Sequence, residues 1–130
     1  MIVADTNTWI AFLTGKTGED VSFLDRALTD KQVLMAPVVL TELLSDPKLP
    51  PSVAKLLTEV PLAEIGSGYW ERAGALRAGL RGQGCRARLG DSLIAQSCID
   101  SSATFLTRDQ DFRAFSDTTG LNLFIYAAQS

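Results

Sequence analysis

Short apolar runs alternate with helical patterns along the chain of 130 residues. The apolar runs are rich in residues that favour strands, whereas the segments between them repeat apolar residues every three or four positions, which predicts helices. Strands separated by helices are typical of a parallel sheet with helices packed on it. The predicted strands are residues 2–4, 33–36, about 62–65, 104–107 and about 123–126.

Helices are predicted in the segments between these strands. Asp20 and the pair Pro51-Ser52 are start signals, and Gly82 and Gly84 are expected to end the longest helix. No repeat, low-complexity tract or linker interrupts the pattern, so we expect one α/β domain over residues 1–130. The predicted helices are residues 8–13, 20–28, 38–45, 52–58, 69–80, 91–98 and a short one after Asp109.

The composition excludes several classes of protein and of catalytic site. With 46% hydrophobic and 21% charged residues, the chain is typical of a globular protein, and no apolar run approaches the length of a membrane span. We therefore expect a cytoplasmic protein without a membrane partner.

Cys85 and Cys98 lack the paired spacing of a zinc site, and the absence of histidine excludes Ser-His and Cys-His nucleophiles. Catalysis would have to use carboxylates, hydroxyls, lysines or a metal.

Acidic residues stand where parallel sheets place their ligand sites. Asp5 follows the first strand and Asp109 follows the fourth, and the carboxyl ends of such strands form the usual binding edge. Each of these acids could instead cap the following helix. Asp91 shares the apolar stripe of its helix with Ile94 and Cys98, where an unpaired carboxylate is costly, so it is either a ligand or a cap.

Glu42 is the least conspicuous of the four acids. Its position opposite the apolar stripe suits an ordinary exposed glutamate, but its helix directly follows the second strand and so begins at the same edge. Two like charges ~4 Å apart repel by ~4 kcal/mol at an effective dielectric of ~20. If the acids converge, they require raised pKa values or a divalent cation. All-oxygen ligands favour Mg²⁺ or Mn²⁺, and such ions commonly serve phosphodiester hydrolysis.

Positive charge is concentrated in one stretch. Five arginines and a single acid lie between Gly66 and Gly90, although acids outnumber bases 15 to 12 over the whole chain. The planar guanidinium suits phosphate groups. This stretch is therefore either a phosphate-binding surface or a solvated helix face.

The four acidic motifs together resemble the PIN-domain ribonucleases, most closely the VapC-type toxins of bacterial toxin–antitoxin pairs. The motifs are VADTNTWI, VLTELL, RLGDSLIA and FLTRDQDF, and the resemblance covers essentially the whole chain. It implies a three-layer α/β/α domain with a central parallel sheet in the order 3-2-1-4-5. It also implies an acidic cleft that holds Mg²⁺ or Mn²⁺, cleavage of RNA, a homodimer, and inhibition by a small VapB-like antitoxin.

The resemblance assigns roles to individual residues. Asp5 and Asp91 are the expected principal metal ligands, with Glu42 and Asp109 completing the set, and Asp111 shares or replaces the role of Asp109. Small polar side chains are expected to brace the carboxylates, and arginines near Asp91 to contact RNA phosphates or acidic groups of the antitoxin. The bracing residues are Thr6, Asn7 and Thr107, and the arginines are Arg86 and Arg88, with Arg108 as a further possibility.

These assignments predict an Mg²⁺-dependent endoribonuclease, the toxin of a VapBC-like pair, which leaves 5′-phosphate and 3′-hydroxyl ends. Two alternatives stay open: a PIN-type nuclease of RNA processing that has no antitoxin, and a non-catalytic PIN domain that binds a metal or a peptide. Trp9 and Trp70 belong either to the core or to a surface that receives the antitoxin or a second protomer.

Overall fold

The computed structural model describes residues 1–127. Within them, strands and helices alternate as the apolar pattern predicts. The strands are β1 (Ile2–Ala4), β2 (Val33–Leu34), β3 (Thr104–Thr107) and β4 (Asn122–Ile125). The helices are α1 (Thr6–Leu13), α2 (Glu19–Thr29), α3 (Pro37–Leu44), α4 (Pro51–Glu59), α5 (Tyr69–Gly82), α6 (Leu89–Asp100) and α7 (Arg113–Thr119), the last preceded by a 3₁₀ turn at Gln110–Phe112.

The sheet is parallel, in the order β2-β1-β3-β4. β1 lies at its centre, where Val3 is in register with Leu34 on one side and with Phe105 on the other. All three residues of β1 are buried, and successive side chains of a strand point to opposite faces. Both faces of the sheet are therefore covered, which confirms the predicted fold of a central parallel sheet flanked by helices.

The predicted strand at 62–65 is reduced to a single bridge. Met35 N donates to Pro61 O at 2.7 Å and Ala63 N donates to Met35 O at 2.9 Å, and Leu62 forms a parallel bridge with Met35. The bridge lies beside β2, where the order 3-2-1-4-5 places the third strand. Pro61 has no N–H to donate, and Leu62 and Ile65 are exposed, so little burial supports a longer strand.

Several element boundaries differ from the predicted ones. β2 ends at Leu34 rather than at Ala36, and α1 begins at Thr6, directly after Asp5. Gly82 is the last residue of α5 and not the residue beyond it, whereas Gly84 adopts the left-handed conformation with φ of 81° and turns the chain toward α6. α6 begins at Leu89, two residues before Asp91.

Helix α6 is buried on more sides than its sequence predicts. Ser92 and Gln96 lie outside the apolar stripe that Asp91 shares with Ile94 and Cys98, yet both are buried, as is Ser97. Helix α5 packs against α6 through Tyr69. Its Oη donates to Leu93 O at 2.6 Å, and Ser97 Oγ donates to Tyr69 Oη at 3.3 Å. None of the helices in residues 1–127 is long and apolar enough to cross a bilayer.

Candidate active site

Asp5 occupies the carboxyl end of the central strand and is 7% exposed. Its Oδ1 accepts a hydrogen bond from the Thr6 amide at 2.8 Å, and its Oδ2 accepts one from Thr107 Oγ1 at 2.7 Å. The pKa of Asp5 is raised to about 6: burial is the largest cause, the charges of Asp91 and Glu42 add to it, and the two hydrogen bonds act in the opposite direction. Asp5 caps α1 and also belongs to a cluster of interacting acids.

Asp91 reaches this cluster from the first turn of α6. Arg88 is the residue at the N-cap, so Asp91 is not the cap of its helix, and its carboxylate has no hydrogen bond to residues 1–127. Burial raises the pKa of Asp91, and the charge of Asp109 raises it further, whereas Arg88 lowers it. Glu42 and, more weakly, Asp111 also raise it. A half-buried carboxylate among like charges is a candidate cation ligand.

Asp109 and Glu42 approach the same edge from other elements. Asp109 lies two residues beyond Thr107, the last residue of β3, and its Oδ1 accepts a hydrogen bond from the Asp111 amide at 2.9 Å, so it caps the 3₁₀ turn. Asp111 is exposed. Glu42 is exposed on α3, as its helical position predicts, yet its charge acts on both Asp5 and Asp91. The fold thus brings the four sequence-predicted acids to one edge of the sheet.

Small polar side chains form hydrogen bonds with the segments that carry the acids at this edge. Thr107, fully buried in β3, donates its hydroxyl to Asp5 and accepts a hydrogen bond from the Asp109 amide at 3.0 Å. Asn7 Oδ1 accepts a hydrogen bond from the Arg108 amide at 3.2 Å and does not contact the Asp5 carboxylate. Thr6 contacts Asp5 through its amide, while its buried Oγ1 has no hydrogen-bond partner among residues 1–127.

The three arginines considered for phosphate binding differ in their surroundings. Arg86 and Arg88 are exposed and form no ion pair with the described residues of the chain. Arg108 instead forms two hydrogen bonds with Asp20, from Nε at 2.8 Å and from Nη2 at 3.0 Å. Its guanidinium is therefore engaged inside the protein, and the suggestion that Arg108 contacts phosphate or antitoxin is not supported by this geometry.

Sequence reasoning missed the role of Asp20, which it used only as a helix start signal. The side chain is fully buried and accepts hydrogen bonds from Arg108 and from Thr8 Oγ1, the latter at 2.8 Å. A buried aspartate cannot be recognised from its position at a helix start, since most such residues are solvated caps. Trp9 is 2% exposed and belongs to the core, whereas Trp70 is 62% exposed.

The cluster consists of oxygen donors, which suits Mg²⁺ or Mn²⁺. The buried, unpartnered hydroxyl of Thr6 lies beside Asp5 and is one further oxygen at this edge. Across residues 1–127, however, no group of three or more Asp, Glu or Cys side chains is arranged so that it could hold a metal ion. The donor chemistry fits a hard cation, while the carboxylates are not gathered around a preformed position.

A cleft of about 260 Å³ adjoins the acidic edge between α1, α3 and α4. Glu42 contributes to its wall, and most of the remaining lining is apolar, including Leu13, Leu43, Leu49 and Val53. Ile10 and Leu13 of α1 both line the cleft and are 47% and 37% exposed. The cleft therefore joins an apolar surface to the acidic cluster.

Comparison with known proteins identifies the fold. The family model described as the PIN domain matches residues 2–117. No curated protein sequence is significantly similar to the chain. Among solved structures, VapBC2 from Rickettsia felis bound to a promoter DNA fragment has a chain that is 21% identical, with a TM-score of 0.72 and coverage of 96% of this chain and 98% of that one.

Two further solved structures are similar over nearly the whole length. FitAcB from Neisseria gonorrhoeae has a chain that is 21% identical, with a TM-score of 0.70 and coverage of 95% of this chain and 96% of that one. DNA-bound VapBC from Salmonella typhimurium has one that is 19% identical, with a TM-score of 0.72 and coverage of 95% and 96%. At these identities the likeness concerns the fold.

Proposed function

Because this chain belongs to the PIN-domain family, we propose that it is a divalent-cation-dependent endoribonuclease and the toxin of a VapBC-like pair. The observation that carries the proposal is the convergence of Asp5, Glu42, Asp91 and Asp109, which come from four different elements, at the carboxyl edge of the sheet. The charges of Asp91 and Glu42 raise the pKa of Asp5, and those of Asp109 and Glu42 raise the pKa of Asp91, so the fold holds these carboxylates together at a cost that a bound cation would offset.

Asp5 and Asp91 would hold Mg²⁺ or Mn²⁺, with Glu42 and Asp109 completing the oxygen donors. When bound, such an ion supplies charge stabilisation at the scissile phosphate and a nucleophile at neutral pH. Asp5 is held at the edge by Thr107 and by the Thr6 amide, which also favour its charged form. Asp91 extends from a well-buried helix, so neither principal acid depends on a loose surface loop.

RNA phosphates would be held by Arg86 and Arg88. Both side chains are exposed, and Arg88 is close enough to Asp91 to lower its pKa, so a phosphate bound there would lie beside the acidic cluster. The Arg77 guanidinium donates from Nε to Ala87 O at 2.9 Å and fastens this segment to α5. Phosphate contacts position a strand without reading its bases.

An antitoxin would occupy the apolar cleft between α1, α3 and α4. The solved structures that resemble this chain include VapBC complexes, and the cleft leads from exposed Leu13 to Glu42 of the acidic cluster. A VapB-like segment seated there would reach the acids. The same proposal includes a cytoplasmic homodimer, which light scattering would detect as twice the 14.0 kDa of the chain.

Asp5→Asn tests the nuclease proposal, because it removes the charge at nearly constant shape. We expect cleavage of a synthetic RNA in Mn²⁺ to fall at least about a hundredfold, since loss of outer-shell partners alone costs about 10–100-fold. Circular dichroism should show an unchanged fold. Asp25→Asn, an exposed aspartate on α2, is the matched control and should cleave like the wild type.

The products also test the proposal, because hydrolysis of the expected kind leaves 5′-phosphate and 3′-hydroxyl ends. Full cleavage by purified Asp5→Asn would refute the assigned site. A wild-type protein that binds Mn²⁺ and leaves RNA intact would instead support the non-catalytic PIN domain. Cleavage without any antitoxin encoded beside the gene would favour a nuclease of RNA processing.

A further inference from the structure

We propose that Arg108, held by the buried carboxylate of Asp20, is a positioning residue for the acidic site. The pair would fix the segment 107–109, which carries the hydroxyl that binds Asp5 and the carboxylate that faces Asp91. This inference rests on the proposed function for its effect on catalysis. It concerns a residue that neither the family match nor the sequence pattern singles out for this task.

Asp20 and Arg108 form an ion pair in the interior of the protein. Asp20 is fully buried, and the Arg108 side chain is 21% exposed. Burial raises the pKa of Asp20, but hydrogen bonds from Arg108 and Thr8 outweigh burial and lower it below its ordinary value, so the carboxylate is charged. Two parallel N–H···O bonds between guanidinium and carboxylate define orientation as well as distance.

Other contacts hold the Arg108 guanidinium from the remaining sides. Nη2 also donates to Thr17 O at 3.0 Å, and the guanidinium carbon lies 4.8 Å from the centre of the Tyr126 ring. Gly18 packs against the pair so closely that a Cβ there would lie 2.6 Å from Asp20 Oδ1 and 2.7 Å from Arg108 Nη2. The site accepts no side chain at position 18 without moving the pair.

The backbone of Arg108 joins this contact to the acids. Its amide donates to Asn7 Oδ1 at 3.2 Å, and the residues on either side of it are Thr107 and Asp109. The Asp109 amide donates to Thr107 Oγ1, which in turn donates to Asp5 Oδ2. A shift of Arg108 would therefore change the hydrogen bond that orients Asp5, even though the guanidinium itself contacts Asp20 of α2.

Arg108→Lys tests the inference because it keeps the positive charge and removes the planar guanidinium, which donates two parallel hydrogen bonds to Asp20. We expect the Mn²⁺ dissociation constant to rise and kcat to fall, each about tenfold, the low end of effects seen for supporting residues. The KM for RNA should stay within about twofold, because no substrate contact is lost. The exposed Arg113 in the same region, replaced by Lys, is the matched control and should leave all three constants unchanged.

Gly18→Ala is the second variant, because it displaces the pair and retains both charges. It keeps the test decisive if Arg108→Lys fails to fold. The NMR resonance of the Thr6 amide is a readout that needs neither metal nor RNA. This amide donates a hydrogen bond to Asp5 Oδ1, and Thr6 is separated in sequence from both substitutions. The resonance should shift in Arg108→Lys and in Gly18→Ala, and stay in place in Arg113→Lys.

Two results would overturn the inference. If Arg108→Lys raises the KM for RNA and retains kcat, Arg108 is a phosphate contact. If the Thr6 resonance and the Mn²⁺ affinity of Arg108→Lys equal those of Arg113→Lys, Arg108 has no link to Asp5. If the wild-type protein neither binds Mn²⁺ nor cleaves RNA, the proposed function fails. The Thr6 resonance of the metal-free protein then still decides whether Arg108 positions Asp5.

Discussion

At the scale of single residues, Asp5 combines two roles with opposite energetic consequences. Its hydrogen bonds from Thr6 and Thr107 stabilise the carboxylate, while burial and two neighbouring acids destabilise it, and the balance raises its pKa from 3.8 to about 6. The metal-free protein at neutral pH therefore carries a charge that its fold disfavours. A cation at this edge would reverse the balance, since it stabilises the charged form.

The raised pKa of Asp5 predicts a pH-dependent stability of the metal-free protein. The carboxyl contributes stability below about pH 3.8, and this contribution is lost as the pH rises through about 6. A pKa of about 6 in place of 3.8 corresponds to about 3 kcal/mol. Denaturant unfolding of the wild type and Asp5→Asn in EDTA should show the variant gaining relative stability over this range. A constant difference between the two proteins would contradict the buried placement of Asp5.

At the scale of elements, the segment between α5 and α6 joins the basic and acidic parts of the proposed site. Gly84 turns the chain, Arg77 fastens the segment through Ala87 O, and Arg86 and Arg88 extend into solvent. Helix α6 then begins at Leu89 and carries Asp91 in its first turn. The segment therefore places positive charge next to a cluster that would otherwise repel RNA.

Replacing Arg86 and Arg88 by alanine should weaken RNA binding and flatten its salt dependence. Each phosphate contact on a single strand contributes about 0.7 to the slope of log K against log salt, so the double variant should lose about 1.4. Fluorescence anisotropy with a labelled RNA in Ca²⁺ or EDTA would measure the slope without cleavage.

The control for this prediction is the double variant Arg26→Ala/Lys31→Ala. It removes the same charge at the opposite, amino edge of the sheet, since Lys31 precedes β2. Its salt slope should match that of the wild type. Equal slopes for both double variants would show that the loss follows net charge alone and that Arg86 and Arg88 bind no phosphate.

At the scale of the whole molecule, the parallel sheet gathers acids that are far apart in the sequence. β1 and β3 are neighbours in register although about a hundred residues separate them, so Asp5 and Asp109 leave the sheet at the same edge. The described residues show no preformed metal arrangement. Binding of an ion would therefore draw the carboxylates together and couple α3, α6 and the end of β3.

This coupling predicts that Mn²⁺ stabilises the whole domain. At about 100 times its dissociation constant, an ion that binds only the folded state adds about 2.7 kcal/mol, which corresponds to a rise in Tm of roughly 10 °C for a domain of this size. Differential scanning calorimetry in Mn²⁺ and in EDTA at matched ionic strength measures it. Asp5→Asn should show little change, and an equal rise in both proteins would place the ion elsewhere.

The sequence by itself determined the alternation of strands and helices, the positions of Asp5 and Asp109 after strands, and the position of Asp91 near the start of its helix. Those features depend on local periodicity, which about 4–8 consecutive residues define for a strand and about 11–18 for a helix. The strand predicted at 62–65 is shorter than the sequence indicates, because Leu62 and Ile65 are exposed and Pro61 limits the pairing. The PIN family was recognisable from four short motifs in the right order.

Only the tertiary structure decided which charged groups are free and which are paired. Asp20 and Arg108 are 88 residues apart and meet inside the protein, whereas Arg86 and Arg88 stay exposed. Likewise, Ser92 and Gln96 are buried although they lie off the apolar stripe of α6, and Tyr69 of α5 packs against the same helix. Burial and pairing depend on contacts between distant segments, so the same residue types carry different functions, and local sequence does not distinguish them.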